Sequence, residues 1–113
     1  MTQALTVLED SVWVLERPIK VVEGESIVFT LEAWATITST PTCVVYRNRS
    51  STAVTSTVMP SGSHTYSGTT ATLKPATAMV GGSTYTFAVT LAIGGDTRIR
   101  KFKVICQKDE ATL

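Results

Sequence analysis

Large apolar residues alternate with small or polar ones along much of the chain, most clearly between Gly81 and Ile105. From Thr84 to Ile93 every second residue is Tyr, Phe, Val, Leu or Ile, and the residues between them are Thr or Ala. A period of two is typical of a half-buried strand whose large side chains face inward. Gly94-Gly95 supplies the positive φ angles of a tight turn, after which Arg98 to Cys106 returns as a second strand. We therefore expect a long hairpin whose apolar face is covered by the rest of the chain.

Five further segments carry strand-like patterns. They are Pro18 to Val22, Ser26 to Trp34, Cys43 to Asn48, Thr52 to Met59 and Thr69 to Lys74. Pro18 confines the first of them to a sheet edge, because proline cannot donate a ladder hydrogen bond. No segment shows a helical period, and seven or eight short strands at this spacing indicate an all-β sandwich or a small barrel.

The first 17 residues contain two short apolar runs separated by the acidic pair Glu9-Asp10. Leu5 and Val7 belong to the first run, and Val12-Trp13-Val14-Leu15 is the second. Two interpretations are open: the segment is a strand of the core, or it is an arm that leaves the sandwich and offers an apolar patch to a partner. We accordingly divide the chain into residues 1–17 as an arm or extra strand, 18–108 as the sandwich and 109–113 as a tail.

Composition narrows the possible functions. A chain of 113 residues with 43% hydrophobic residues and a net charge of +1 is one globular domain without a strong field for nucleic acid or anionic membrane. No apolar run approaches the roughly 20 residues that cross a bilayer, and the acidic start does not resemble a secretory signal. We expect a protein made without export, binding neither nucleic acid nor membrane.

Several segments together resemble an immunoglobulin-like sandwich of the fibronectin type III variety. SIVFTLEAW resembles that family's second strand, CVVYRN its third, and TATLKPAT the corner before its sixth strand, which Tyr85 would open. The resemblance implies an all-β, immunoglobulin-like β-sandwich of seven to eight antiparallel strands with an N-terminal arm or extra strand. It also implies that Cys43 and Cys106 lie two strands apart in one sheet, about 9.6 Å, as free thiols rather than a disulfide.

A broader resemblance concerns the whole chain. The stretches LERPIKVVEGESIVFTL and GGSTYTFAVTLAIGGDTRIRKFKV, in a single domain with a Thr-rich composition, are similar to small accessory proteins of tailed-bacteriophage virions. The resemblance implies a structural protein that decorates the capsid or the tail and binds other virion proteins, with self-association possible. It also implies synthesis in the host cytoplasm and residence in the virion.

Residues suited to catalysis are few. His64 is the single histidine, and no carboxylate is near it in sequence, so we expect it to face water. The carboxylate pairs Glu23/Glu25 and Asp109/Glu110 are expected to be solvated. Phosphate-loop, nucleophile-elbow and zinc-protease patterns do not occur. We therefore predict no enzymatic activity, no cofactor and no metal site.

Three regions of the sequence are candidates for binding another protein: the N-terminal segment, the last strand and the interval from Ser50 to Gly95. The last strand is basic, with Arg98, Arg100 and the lysines after them, which indicates either an edge strand protected by charge or a contact with an acidic partner. Alternation would put Arg100 on the same face as Phe102 and Val104, which suggests a bulge near Arg100-Lys101. The almost uncharged interval from Ser50 to Gly95 favours a hydroxyl-rich surface. The candidate protein contacts are Leu5, Val7, Val12, Trp13, Val14, Leu15, Arg98 and Arg100. The alternative is a surface adhesin-like or carbohydrate-binding module, for which Tyr66 is the candidate sugar contact.

Overall fold

Eight strands form two four-stranded sheets that pack face to face in the computed structural model, which describes residues 2–7, 11–14, 17–48, 50 and 52–108. The elements in chain order are β1 (Thr2–Thr6), β2 (Ile19–Val22), β3 (Val28–Glu32), β4 (Thr42–Arg47), α1 (Thr55–Val58), β5 (Thr65–Ser67), β6 (Thr70–Thr72), β7 (Thr84–Ile93) and β8 (Asp96–Gln107). The first sheet has the order β1-β3-β6-β5 and the second the order β2-β8-β7-β4. The predicted all-β sandwich is confirmed.

The predicted hairpin is the β7–β8 pair. Its register runs without interruption from Thr84 opposite Ile105 to Ile93 opposite Asp96. Gly94 and Gly95 close it with φ angles of 59° and 91°, which L side chains rarely adopt. The odd-numbered residues of β7 are all buried, as the alternation predicted.

The core between the sheets is centred on three phenylalanine rings. Phe87 and Phe102 come from the hairpin and stack with centroids 5.1 Å apart. Phe29, from β3 in the opposite sheet, contacts both rings at centroid distances of 5.2 and 4.9 Å. All three side chains are fully buried, so this cluster joins the two sheets.

The N-terminal segment belongs to the same sandwich. β1 pairs in parallel with β3, and the Val7 amide donates to the Glu32 carbonyl. Residues 12–14 continue onto the second sheet, where the Lys101 amide donates to the Val12 carbonyl and the Val14 amide donates to the Lys101 carbonyl. β2 then pairs in parallel with β8. The described part of residues 1–17 is therefore built into both sheets, and two strand pairs are parallel where antiparallel pairing was expected.

The predicted strand from Thr52 to Met59 is wrong, since this segment makes one helical turn, α1. Val58 and Met59 are neighbours in sequence and both are buried, which a strand with one face in solvent does not arrange, because its successive side chains point to opposite faces. The segment also covers the outer edge of β4, where the Val54 amide donates to the Val45 carbonyl and the Thr55 hydroxyl accepts from the Val45 amide. The open edge of β4 is thereby covered at Val45.

The basic last strand is an edge strand only in part. β8 lies between β2 and β7 in the strand order, but β2 pairs only with Val104 to Gln107 and a single bridge from Trp13 reaches Lys101, so edge protection stays a prediction for the part of β8 that begins at Asp96. The proposed bulge near Arg100-Lys101 is absent, because the register with β7 is continuous there. Strict alternation therefore turns Arg100 toward the interior, in line with Phe102 and Val104.

The strand orders are those of a two-sheet β-sandwich and can be compared with the suggested immunoglobulin-like arrangement. β1-β3-β6-β5 and β4-β7-β8 have the A-B-E-D and C-F-G orders of such sandwiches, but β1 pairs in parallel with β3, unlike the antiparallel sheets of that fold, and β2 is added beside β8. The Tyr85 hydroxyl accepts a 2.8 Å hydrogen bond from the Val80 amide, as a tyrosine at this corner does in that fold. Cys43 and Cys106 are buried free thiols, as expected.

Candidate protein-binding face

The outward side of the β2-β8-β7-β4 sheet combines lysines, threonines and exposed apolar residues; we call it the basic face. Alternation along β8 turns Ile99, Lys101, Lys103 and Ile105 outward, because the residues between them face the core. The register places Val44, Ala88 and Lys101 in one row across the sheet, and an isolated parallel bridge adds Trp13 to that row.

The charge of this face has one sign. Lys20 on β2 and Lys101 and Lys103 on β8 occupy outward positions, and none of the outward positions on its four described strands is acidic. Glu23 and Glu25 lie beyond the end of β2 and are held by the backbone: the Gly81 amide donates to Glu23 at 3.1 Å and the Val22 amide donates to Glu25 at 2.6 Å. The expectation that this pair is merely solvated is therefore wrong.

A groove of about 480 Å³ opens on the basic face and is lined by Pro18, Asn48, Thr84, Thr86 and Lys103. We call it the lysine groove. Its polar lining consists of one ammonium group, two hydroxyl groups and one carboxamide, all of which can donate hydrogen bonds. Lys103 is its only charged lining residue among the described ones. The groove is thus chemically suited to an anionic group.

Asn48 is fixed in position at the end of β4. Its φ angle of 51° lies in the left-handed region, which asparagine tolerates better than most residues. Its backbone amide donates to the Thr84 carbonyl at 2.6 Å, and its side-chain oxygen accepts from the Thr84 amide at 3.0 Å. The pair of bonds continues the β4–β7 ladder by one residue and fixes one wall of the groove.

Trp13 stands beside the groove. The Lys103 ammonium lies 5.4 Å from the Trp13 ring centroid, within the range of a cation–π contact. Trp13, Val12 and Ile99 are 43%, 47% and 50% exposed, respectively. We call these three residues the apolar patch. It lies along the part of β8 that continues past the end of β2.

The predicted contact residues divide into groups. Leu5, Val7 and Val14 are buried in the core, so they cannot serve as surface contacts, and that part of the prediction is corrected. Val12 and Trp13 are exposed in the apolar patch. Leu15 lies outside the described residues.

The two arginines pack around a tryptophan. The guanidinium groups of Arg98 and Arg100 lie 5.6 and 5.3 Å from the Trp34 ring centroid. Arg100 is buried, and its Nη1 donates to the Ile99 carbonyl at 2.8 Å. Arg98 is partly exposed and lies 3.8 Å from Asp96. Arg100 therefore has a structural place between the sheets, and the prediction of a surface contact at this residue is corrected.

Tyr66 and His64 are not among the residues that line the lysine groove. Tyr66 is 40% exposed on β5, in the other sheet. His64 does not face water freely, since its Nδ1 accepts a 3.1 Å hydrogen bond from the Lys74 amide. Burial, followed by the Lys74 charge, lowers the pKa of His64. The pairs Glu9-Asp10 and Asp109/Glu110 lie outside the described residues.

Other titratable groups serve the fold. Burial raises the pKa of the Cys43 thiol to about 12 and also raises the pKa of Cys106. Hydrogen bonds from the Thr69 and Thr70 hydroxyls lower the pKa of Glu32. Within the described ranges, no three His, Cys, Asp or Glu residues cluster as metal ligands, and no helix is long and apolar enough to cross a membrane.

Sequence reasoning pointed to the basic strand but missed the groove. Lys103 could have been selected, because it alternates with Phe102 and Val104 and must therefore face outward. Asn48, Thr84 and Pro18 gave no such signal, since their proximity to Lys103 depends on which strands pair.

Comparison with known proteins adds little. No protein-family model matches the chain, and no curated protein is significantly similar to it. Among solved structures, the chain is similar to the solution structure of amebosin, with 17% identity over 92% of this chain and 96% of that chain and a TM-score of 0.41. Similarity at that level carries no argument about function.

Proposed function

We propose that this protein is a non-enzymatic structural protein that binds other proteins of a larger assembly through the basic face. The observation that carries the proposal is the apolar patch, in which Val12, Trp13 and Ile99 are each more than 40% exposed along the same part of β8. Exposed apolar patches that are rimmed by polar residues mark protein-binding surfaces. The resemblance to phage accessory proteins favours the virion as that assembly, with capsid or tail proteins as partners and synthesis in the host cytoplasm.

Co-sedimentation of the purified protein with tailed-phage particles tests this proposal. We expect stable, stoichiometric binding by the native chain and by Val80→Ser, and loss of binding by Val12→Ser. Val80 is the matched control, because it is also 47% exposed but lies in the loop before β7. Equal binding by both variants would remove the apolar patch from the contact.

A sugar-binding module is the competing outcome. The exposure of Tyr66 is the observation that favours it, since carbohydrate sites use exposed aromatic rings. Absence of particle binding, together with retention on a glycan array that Tyr66→Ala abolishes, would replace the structural proposal with this one.

A further inference from the structure

We propose that the lysine groove receives an acidic side chain of the partner protein, with its carboxylate bound by Lys103 and the Thr86 hydroxyl. This inference rests on the proposed function, because it names the chemistry of the partner that the basic face binds. Its test uses a defined peptide, so that it can fail while particle binding succeeds.

Charge complementarity indicates that the partner surface is acidic. A partner that covers the basic face brings Lys20, Lys101 and Lys103 out of water without any acidic residue at the outward positions of the four described strands to neutralise them. Burying unpaired ammonium groups is costly, so the partner has to supply negative charge. An acidic partner surface meets this requirement.

The position of Lys103 beside Thr86 allows one carboxylate to bind both side chains. Its ammonium lies against the Trp13 ring, and the register places Thr86 directly opposite Lys103 on β7. Directly opposed residues on one face have Cβ atoms about 5 Å apart, so one carboxylate can accept from both side chains. Contact with the ring restricts the lysine side chain before binding, which lowers the entropy cost of the ion pair.

The surroundings favour protein over the other polyanions. A single-stranded nucleic acid would need aromatic rings free for base stacking, but Lys103 already covers one face of the Trp13 ring. The same contact obstructs stacking of an acidic sugar. The apolar patch beside the groove instead fits the mixture of aliphatic and charged contacts found between proteins.

The test is a nuclear magnetic resonance titration of the isotope-labelled full chain with a capped oligoglutamate peptide of about six residues. At low salt we expect saturable shifts at the amides of Asn48, Thr84, Thr86 and Lys103. These shifts should fade at about 0.5 M salt, where the Debye length is only about 4 Å. Oligoglutamine of the same length is the control and should cause no saturable shifts at these amides.

Two pairs of variants make the test specific. Lys103→Gln should weaken oligoglutamate binding by about fivefold, the upper range for an exposed ion pair, while Lys74→Gln, with the same net charge, should leave it unchanged. Thr86→Val should weaken binding, while Thr90→Val, an outward position on the same strand outside the groove, should not.

Three results would overturn the inference. The first is the absence of saturable shifts at the groove with oligoglutamate, and the second is equal binding by Lys103→Gln and Lys74→Gln. The third is tighter binding of glucuronate or a short oligothymidylate at the same amides, which would assign the groove to a sugar acid or a nucleic acid. Particle co-sedimentation that persists in Lys103→Gln and in high salt would leave the proposed function standing without this contact.

Discussion

Replacement of Leu5 by Ala tests whether the N-terminal segment is part of the cooperative core. Leu5 is only 3% exposed, and β1 pairs with β3 along five residues. Truncation of a buried leucine removes its transfer free energy and leaves a cavity, which together cost about 2–5 kcal/mol. A domain of this size has a free energy of unfolding of about 5–15 kcal/mol, so a large share of it would be lost.

Urea unfolding followed by circular dichroism measures this loss. With a slope of about 1.5 kcal/mol per M, a loss of about 3 kcal/mol lowers the unfolding midpoint by about 2 M without changing the slope. Thr6→Ala, at an exposed position of the same strand, is the control and should cost less than about 1 kcal/mol. If Leu5→Ala costs no more than Thr6→Ala, β1 does not belong to the folded unit and the arm interpretation is correct.

Three further predictions follow from the interior of the sandwich. His64 Nδ1 accepts from the Lys74 amide, and the pKa of His64 is lowered in the folded state. The unfolded state therefore takes up the proton first, so the free energy of unfolding should fall as pH drops below the ordinary value of 6.5. Urea titrations of His64→Asn, which keeps an acceptor but does not titrate, should lack this decrease, and an identical decrease would contradict the account. Trp34→Ala should lower the free energy of unfolding in urea by about 2 kcal/mol, because it uncovers the two arginines packed on the ring. Trp34→Phe keeps an aromatic ring and should cost less than about 1 kcal/mol. Equal effects of the two variants would show that the ring contributes nothing to stability. Phe87→Ala and Phe102→Ala should each lower the free energy of unfolding by about 3–5 kcal/mol. Because the two rings stack, a double-mutant cycle should give a coupling of about 1 kcal/mol, and strict additivity would refute that contact.

Local pattern was sufficient where one face of a strand is buried along its length. The alternation of β7 and the two glycines after it predicted the hairpin and the direction of each side chain. The same reasoning failed at α1, where a run of β-branched residues has high strand propensity but tertiary packing requires Val58 and Met59 to be buried together. β5 went unpredicted because all three of its residues are exposed, so it carries no alternation.

Pairing between distant strands could not be predicted from the sequence. Nothing local shows that β2 pairs beside the end of β8, from Val104 to Gln107. The lysine groove depends on the same pairing, since Pro18 precedes β2 while Thr84 and Thr86 lie on β7. A surface formed by three separate segments has no contiguous signature in a single sequence.

The pairing of β2 with β8 also determines when the chain can fold during its synthesis. Ile19 of β2 pairs with Val104 of β8, about 85 residues later, so β2 cannot complete its pairing until β8 has been synthesised. At about 5–20 residues per second, the ribosome needs about 4–17 s to make that interval. During this time Val21, which is buried in the finished sandwich, has no strand partner, and β2 is a candidate for chaperone binding. A nascent chain lacking its final dozen residues should therefore stay unfolded, however complete its first sheet is.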